Sequence, residues 1–208
     1  MIYTTQVPHL EKEVRSSVTL GKFDGLHRGH QKLINLIRRE QGEKNRSVIF
    51  TFDVSPRPYI LHSPPKYLLT YEERRELAEN LGVDILAECP FTEALMHMEP
   101  EDFVKEYLAE RLHARYLAVG PDFRFGYQRR GTPELLKELG RTYGFRTEIV
   151  EKEKYKGRDI SSTFVREELE KGHIEEVNQL LGYTYFTKGE IVHGRQLGRT
   201  IGIPTANL

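Results

Sequence analysis

At 208 residues the chain has room for one α/β domain with a remainder, or for two small domains. Hydrophobic residues at 38% support a core and exclude global disorder, and 31 Lys and Arg against 31 Asp and Glu argue against a nucleic-acid binder, whose basic surface must displace counterions. The single cysteine excludes an internal disulfide and indicates a reducing compartment; without a leader-like N-terminus or a bilayer-length apolar run, the chain reads as cytoplasmic, with no membrane or nucleic-acid partner.

In chain order, Ser17 to Leu20 reads as a buried strand, and His30 to Glu40 carries Leu33, Ile34, Leu36 and Ile37 on one helical stripe. Ser47 to Phe52 is a β-branched and aromatic strand. Tyr71 to Leu81 is a helix, with Thr70 as its cap, Glu73 completing a capping box and Gly82 ending it. Val83 to Ala87 is the third strand, followed by Cys89, which reads as a buried structural thiol. A helix opens at Pro100 and runs to Leu112, with two acids in its first turn. Arg115 to Val119 is the fourth strand, Pro133 to Tyr143 a helix, and Phe145 to Val150 the fifth strand. Two helices follow, Thr163 to Lys171 and His173 to Leu181. The basic pairs Arg38-Arg39, Arg74-Arg75 and Arg129-Arg130 read as solvated helix faces or surfaces.

This alternation predicts an α/β fold, a Rossmann-like parallel sheet with helices on both faces. Ligands then bind beyond the carboxyl ends of the strands. Near Gly182 the texture changes to glycine-punctuated β-branched sequence. We therefore divide the chain into residues 1–182 and residues 183–208. A stretch this short cannot bury its own core, so 183–208 reads as the beginning of a β-rich module.

After the first strand comes Gly21-Lys22-Phe23-Asp24-Gly25-Leu26-His27-Arg28-Gly29-His30, leading into a helix. Glycines let the backbone turn and approach a ligand, and the helix start favours phosphate. His27 and His30, three apart, can project together and donate to a charged phosphoryl oxygen. A glycine-rich turn with incidental histidines is the plainer alternative, and a His-His metal site lacks an evident third ligand. The segment fits neither the Walker pattern nor GxGxxG. Asp122 follows the fourth strand and can accept from an amine, while Phe123 and Phe125 can stack on a flat ring or simply pack inward. Ser161-Ser162-Thr163 opens a helix, with Arg166 one turn later suited to phosphate; plain capping by these hydroxyls is the alternative.

The His-x-Gly-His motif resembles the nucleotidyltransferase superfamily, and GxFDGxHxGH narrows the resemblance to prokaryotic FAD synthetases, the bifunctional riboflavin kinase/FMN adenylyltransferases. Gly120-Pro121-Asp122-Phe123-Arg124-Phe125-Gly126, Ile160-Ser161-Ser162-Thr163-Phe164-Val165-Arg166 and Gly202-Ile203-Pro204-Thr205-Ala206-Asn207-Leu208 are similar to three further motifs of that family. The resemblance implies an FMN adenylyltransferase with ATP and FMN as substrates and Mg²⁺ held mainly by their phosphates. It implies His27, His30 and Arg166 as catalytic residues. For ATP binding it implies Gly21, Phe23, Asp24, Gly25, Gly29, Asp122, Ser161, Ser162 and Thr163. Phe52, Pro56, Phe123 and Phe125 fall on the flavin side, although Val54 and Ser55 stand where the family commonly has Pro and His. Thr205 and Asn207 match a kinase-type Mg-ATP motif at the start of a riboflavin kinase β-barrel, whose base lies further along. The 208 residues are therefore not expected to phosphorylate riboflavin.

Overall fold

The computed structural model describes residues 1–52 and 66–189. Pro56, Thr205 and Asn207 lie outside the described residues, as do Val54 and Ser55.

The chain opens with β1 (Ile2–Thr4) and β2 (Arg15–Leu20), then a tight turn leads into α1 (Arg28–Arg39). β3 (Asn45–Phe52), α2 (Tyr71–Asn80) and β4 (Ile85–Cys89) follow. Thr70 caps α2 as the sequence indicates: its hydroxyl accepts from Glu73 N, and the Glu73 carboxylate accepts from Thr70 N at 2.8 Å. A short α3 (Glu93–Met96) precedes α4 (Pro100–Phe103), which continues as π-helical turns through Val104–Arg111. β5 (Ala114–Val119), α5 (Pro133–Tyr143) and β6 (Arg146–Ile149) complete the main alternation. The hairpin β7 (Lys154–Tyr155) and β8 (Arg158–Asp159) turns through Lys156 and Gly157, both at positive φ, as a primed turn requires. α6 (Ser162–Glu170) and α7 (Ile174–Leu181) end the regular structure.

Six strands form one parallel sheet in the order β1-β4-β3-β2-β5-β6. Alternate residues go to opposite faces, as the pleat dictates. In β3, Val48 and Phe50 join the core made with Val104, Leu108 and Leu136, while Ile49 faces Ile34 and Ala78. In β5, Leu117 and Val119 join the first face, while Tyr116 and Ala118 pack on Leu33 and Ile37. Helices therefore cover both faces, as expected. α6 and α7 bury a satellite core of Ile160, Phe164, Val165, Val177, Leu180 and Leu181.

Three features differ from the sequence expectation. β1 adds a sixth strand, pairing Tyr3 with Leu86 at the sheet edge; with Ile2 62% exposed, its three residues carry no periodic signal. The short hairpin and α3 were likewise below the length at which a period can be read. Residues 183–189 carry no strand, and the rest of the expected β-rich module lies outside the described residues. Among the described residues no helix is long and apolar enough to cross a membrane.

Candidate active site at the carboxyl edge of the sheet

From β2 the chain builds outward through β3 and β4, then returns to the other side of β2 with β5 and β6. The order reverses between β2 and β5, and open α/β sheets bind their ligands beyond the carboxyl ends of the strands at such a reversal. The loops that follow these two strands are those the sequence singled out, at Gly21 and Gly120.

The first loop folds tightly. Phe23, Gly25 and Leu26 all have positive φ, at 49°, 79° and 39°. Two of them are not glycine, so the turn is strained and holds only because its surroundings fix it. At Gly25 a Cβ would lie 2.7 Å from Leu68 Cδ1, so glycine is also required sterically. His27 caps α1: its Nδ1 accepts from His30 N at 3.4 Å. A neutral ring accepting at Nδ1 carries its proton on Nε2. The His27 and His30 rings stack at 3.7 Å between centroids and 17° between planes, and Phe23 leans on His30 at 5.0 Å. Burial pushes His27 down to about 4, and burial together with its neighbour His27 holds His30 well below the usual imidazole range. Both rings are therefore neutral at pH 7, and a neutral imidazole can offer an N–H but no positive charge. His30 Nδ1 is buried without a hydrogen-bond partner among the described residues.

α6 comes to the same loop. Arg166 Nη1 donates to Asp24 Oδ2 at 2.7 Å, and Ser162 Oγ donates to the Asp24 carbonyl at 2.8 Å. A Cβ on Gly29 would meet the His27 ring at 3.2 Å and the Ile160 carbonyl at 3.8 Å, so the segment leading into α6 lies against the start of α1. The His pair and Arg166, separated by about 140 positions in sequence, thus share one loop. Ser161 caps α6 by accepting from Phe164 N at 3.2 Å, and Thr163 is exposed.

Several expected site residues stand differently. Asp24 turns its carboxylate inward: Oδ1 accepts from Leu68 N at 2.9 Å and Oδ2 holds Arg166. Burial pushes its carboxyl above the usual carboxylate range despite these partners. Phe23 is fully buried, so its ring is a core group and only its backbone faces the loop. Phe125 is also a core residue, packed on Phe103 at 5.5 Å, because the turn closed by Phe125 and Gly131 folds it inward. Phe123 stacks on Phe125 at 5.6 Å and is half-buried. Phe52 is half-buried against Phe91. Asp122 lies at the surface of the second loop in an ion pair with Lys152 at 2.8 Å; burial would raise its carboxyl, but Lys152 outweighs it and leaves it below the usual range.

Sequence reasoning missed the residues that hold the loop. Arg74 is buried, not a solvated surface cation: its Nε donates to Glu88 Oε1 at 2.6 Å, and Nη1 reaches the Lys22 carbonyl at 3.4 Å. Thr51 Oγ1 reaches the same carbonyl at 3.3 Å. A carboxylate inside the apolar run Ile85–Cys89 was the one available signal, since a buried charge needs a partner.

The FAD synthetase family model matches residues 9–164, and the riboflavin kinase model matches residues 181–208. Among relatives, a bifunctional riboflavin kinase/FMN adenylyltransferase of Listeria monocytogenes is 37% identical over 201 residues, covering 94% of this chain and 63% of the relative. One of Escherichia coli is 36% identical over 195 residues, covering 92% of this chain and 62% of the relative. A solved structure of a macrolide-efflux protein from Streptococcus pneumoniae superposes with a TM-score of 0.85 at 30% identity, over 99% of this chain and 67% of that one. The chain thus spans somewhat under two thirds of the length of the two bifunctional relatives. With the match running from the segment before β2 into α6, and so through five of the six strands of the sheet, β2 to β6, the chain belongs to the FAD synthetase family.

Proposed function

We propose that the chain is an FMN adenylyltransferase, joining the AMP part of ATP to the phosphate of FMN to give FAD and pyrophosphate. The observation that carries this reading is the stacked, neutral His27–His30 pair at the start of α1, on a loop whose Asp24 holds Arg166. ATP lies across the carboxyl ends of β2 and β5, with its triphosphate between the imidazoles and the guanidinium. An oxygen of the FMN phosphate attacks the α-phosphorus in line, the bond from that phosphorus to the β-bridging oxygen breaks, and pyrophosphate carries the electron pair away. The attacking phosphate is already an anion at neutral pH, so no protein nucleophile is needed, and catalysis is positioning plus electrostatic stabilisation. The imidazole N–H groups and Arg166 stabilise negative charge growing on the phosphoryl oxygens.

The backbone at Gly21, Gly25 and Gly29, and the start of α6 at Ser161, Ser162 and Thr163, lie along the phosphates. Asp122 serves the adenosine side, where releasing Lys152 frees an acceptor. Phe52, Pro56 and Phe123 serve the flavin side. On this reading Mg²⁺ would be carried mainly on the substrate phosphates, as small hard cations in phosphoryl-transfer sites commonly are. Magnesium bound there neutralises phosphate charge. Residues 1–182 would form the transferase unit, and 183–208 would begin a riboflavin kinase barrel with Thr205 and Asn207 in its Mg-ATP motif.

The test is to incubate the purified chain with ATP, Mg²⁺ and FMN and to resolve the products by chromatography. FAD and pyrophosphate in equal amounts support the reading. Pyrophosphate released only with another phosphorylated acceptor reassigns the acceptor, and tight FMN binding without turnover makes the chain a binder. His30→Ala should lower turnover by about 10²–10³ with the fold retained.

A further inference from the structure

The strained loop is anchored through its carbonyl groups, and each anchor comes from a different element. Lys22 O accepts from Arg74 of α2 and Thr51 of β3; Asp24 O accepts from Ser162 of α6. Leu26 O accepts from Gln31 Nε2 of α1 at 2.8 Å, and the same amide donates to Leu181 O at 2.7 Å. The remaining anchor comes from beyond α7: Tyr183 Oη donates to Gly25 O at 2.8 Å. Tyr183 lies in the stretch matched by the riboflavin kinase model, whereas Gly25 lies in the stretch matched by the FAD synthetase model. The same segment reaches α2, where Lys188 N donates to Glu73 Oε1 at 2.7 Å.

In a planar trans peptide the carbonyl and N–H lie in one plane and point opposite ways, so holding the oxygen also sets the N–H and the orientation of the plane. Without their anchors, Phe23 and Leu26 would relax from left-handed geometry toward ordinary φ. The His27 and His30 rings follow directly on this turn, and their placement depends on it.

We propose that Tyr183 is a positioning residue for adenylyl transfer: its hydroxyl locks the Gly25 peptide, so the segment opening the second module completes the nucleotide loop of the first. The inference rests on the reading of the loop as the ATP site. Its consequence is a mechanical link, since any movement of residues 183–188 acts on the loop directly.

The experiment uses Tyr183→Phe, which keeps the half-buried ring and removes only the donor, beside Tyr185→Phe, whose hydroxyl has no hydrogen bond among the described residues. FAD formation is measured with ATP and FMN varied separately, and Mg-ATP affinity by calorimetry. Tyr183→Phe should raise the ATP KM and Kd roughly threefold to tenfold, leave the FMN KM unchanged and shift the melting midpoint little, as loss of one neutral hydrogen bond implies. Tyr185→Phe should match the parent. A Tyr183→Phe protein with parental ATP KM and Kd overturns the proposal, and so does one that loses only its active fraction with both KM values intact. If the parent makes no FAD but binds Mg-ATP, the adenylyl-transfer reading fails while the calorimetric comparison still decides this one. If it binds no ATP, both fail.

Discussion

Replacing Glu88 by Gln tests the buried ion pair beneath the candidate site. Glu88 is 1% exposed at the end of β4, between Arg74 at 2.6 Å and Arg75 at 3.2 Å. Gln keeps the shape and removes the charge, which leaves the Arg74 guanidinium buried and uncompensated. Removing one partner of such a pair costs about 3–5 kcal/mol, a large part of the ~5–15 kcal/mol that stabilises a typical domain. For a chain of this size that corresponds to a fall of roughly 6–20 °C in melting midpoint. Urea and thermal unfolding followed by circular dichroism measure it. The companion variant, Arg74→Met with Glu88→Leu, removes both charges; it should recover most of the loss, because two apolar side chains need no partner. Closing the cycle with the single variants Arg74→Met and Glu88→Leu should give a coupling energy above about 2 kcal/mol. A Glu88→Gln protein within about 1 kcal/mol of the parent, or single losses that simply add, would refute the reasoning.

Acid should weaken the fold through the histidine pair. An unfolded imidazole takes up its proton near its ordinary value of 6.5, whereas folded His27 resists until about 4. The unfolded state therefore binds more protons in that window; stability is full above pH 6.5 and is lost as pH falls toward 4, by up to ~3 kcal/mol. Urea midpoints between pH 7 and 4.5 should show this slope for the parent and a shallower one for His27→Asn; equal slopes would contradict it. Gly140→Ala should destabilise, although alanine normally gains about 1 kcal/mol over glycine inside a helix. Here the new Cβ would lie 2.5 Å from the Phe145 carbonyl, a backbone atom that cannot easily give way, and a melting curve at or above the parent's would refute the clash. Phe125→Ala should lower unfolding free energy by about 3–5 kcal/mol, as core truncations do. Flavin affinity of the folded fraction should stay near parental, and a selective loss of that affinity would return Phe125 to the flavin site.

Much of this protein is written locally. The strands and helices repeat at periods of two and 3.6 residues, and Thr70 with Glu73 marks a helix start because both partners sit within one turn. The spacing of His27 and His30 places two rings together for the same reason, and the structure stacks them. The resemblance read from the ordered motifs gave the family, which the comparisons then showed. What distant chain segments do to one another was not legible. Arg74 and Arg75 look alike in sequence, yet one is buried against Glu88 and the other is partly exposed. That the Asp24 carboxylate pairs with Arg166 could not be read from order, because α6 arrives beside it from far along the chain. Phe123 and Phe125 have the same type and spacing, and only the turn between Phe125 and Gly131 decides which goes inside. Local hydrogen bonding and periodicity act over a few residues and can be read from order alone; burial and charge pairing depend on which surfaces meet, and only the folded chain settles that.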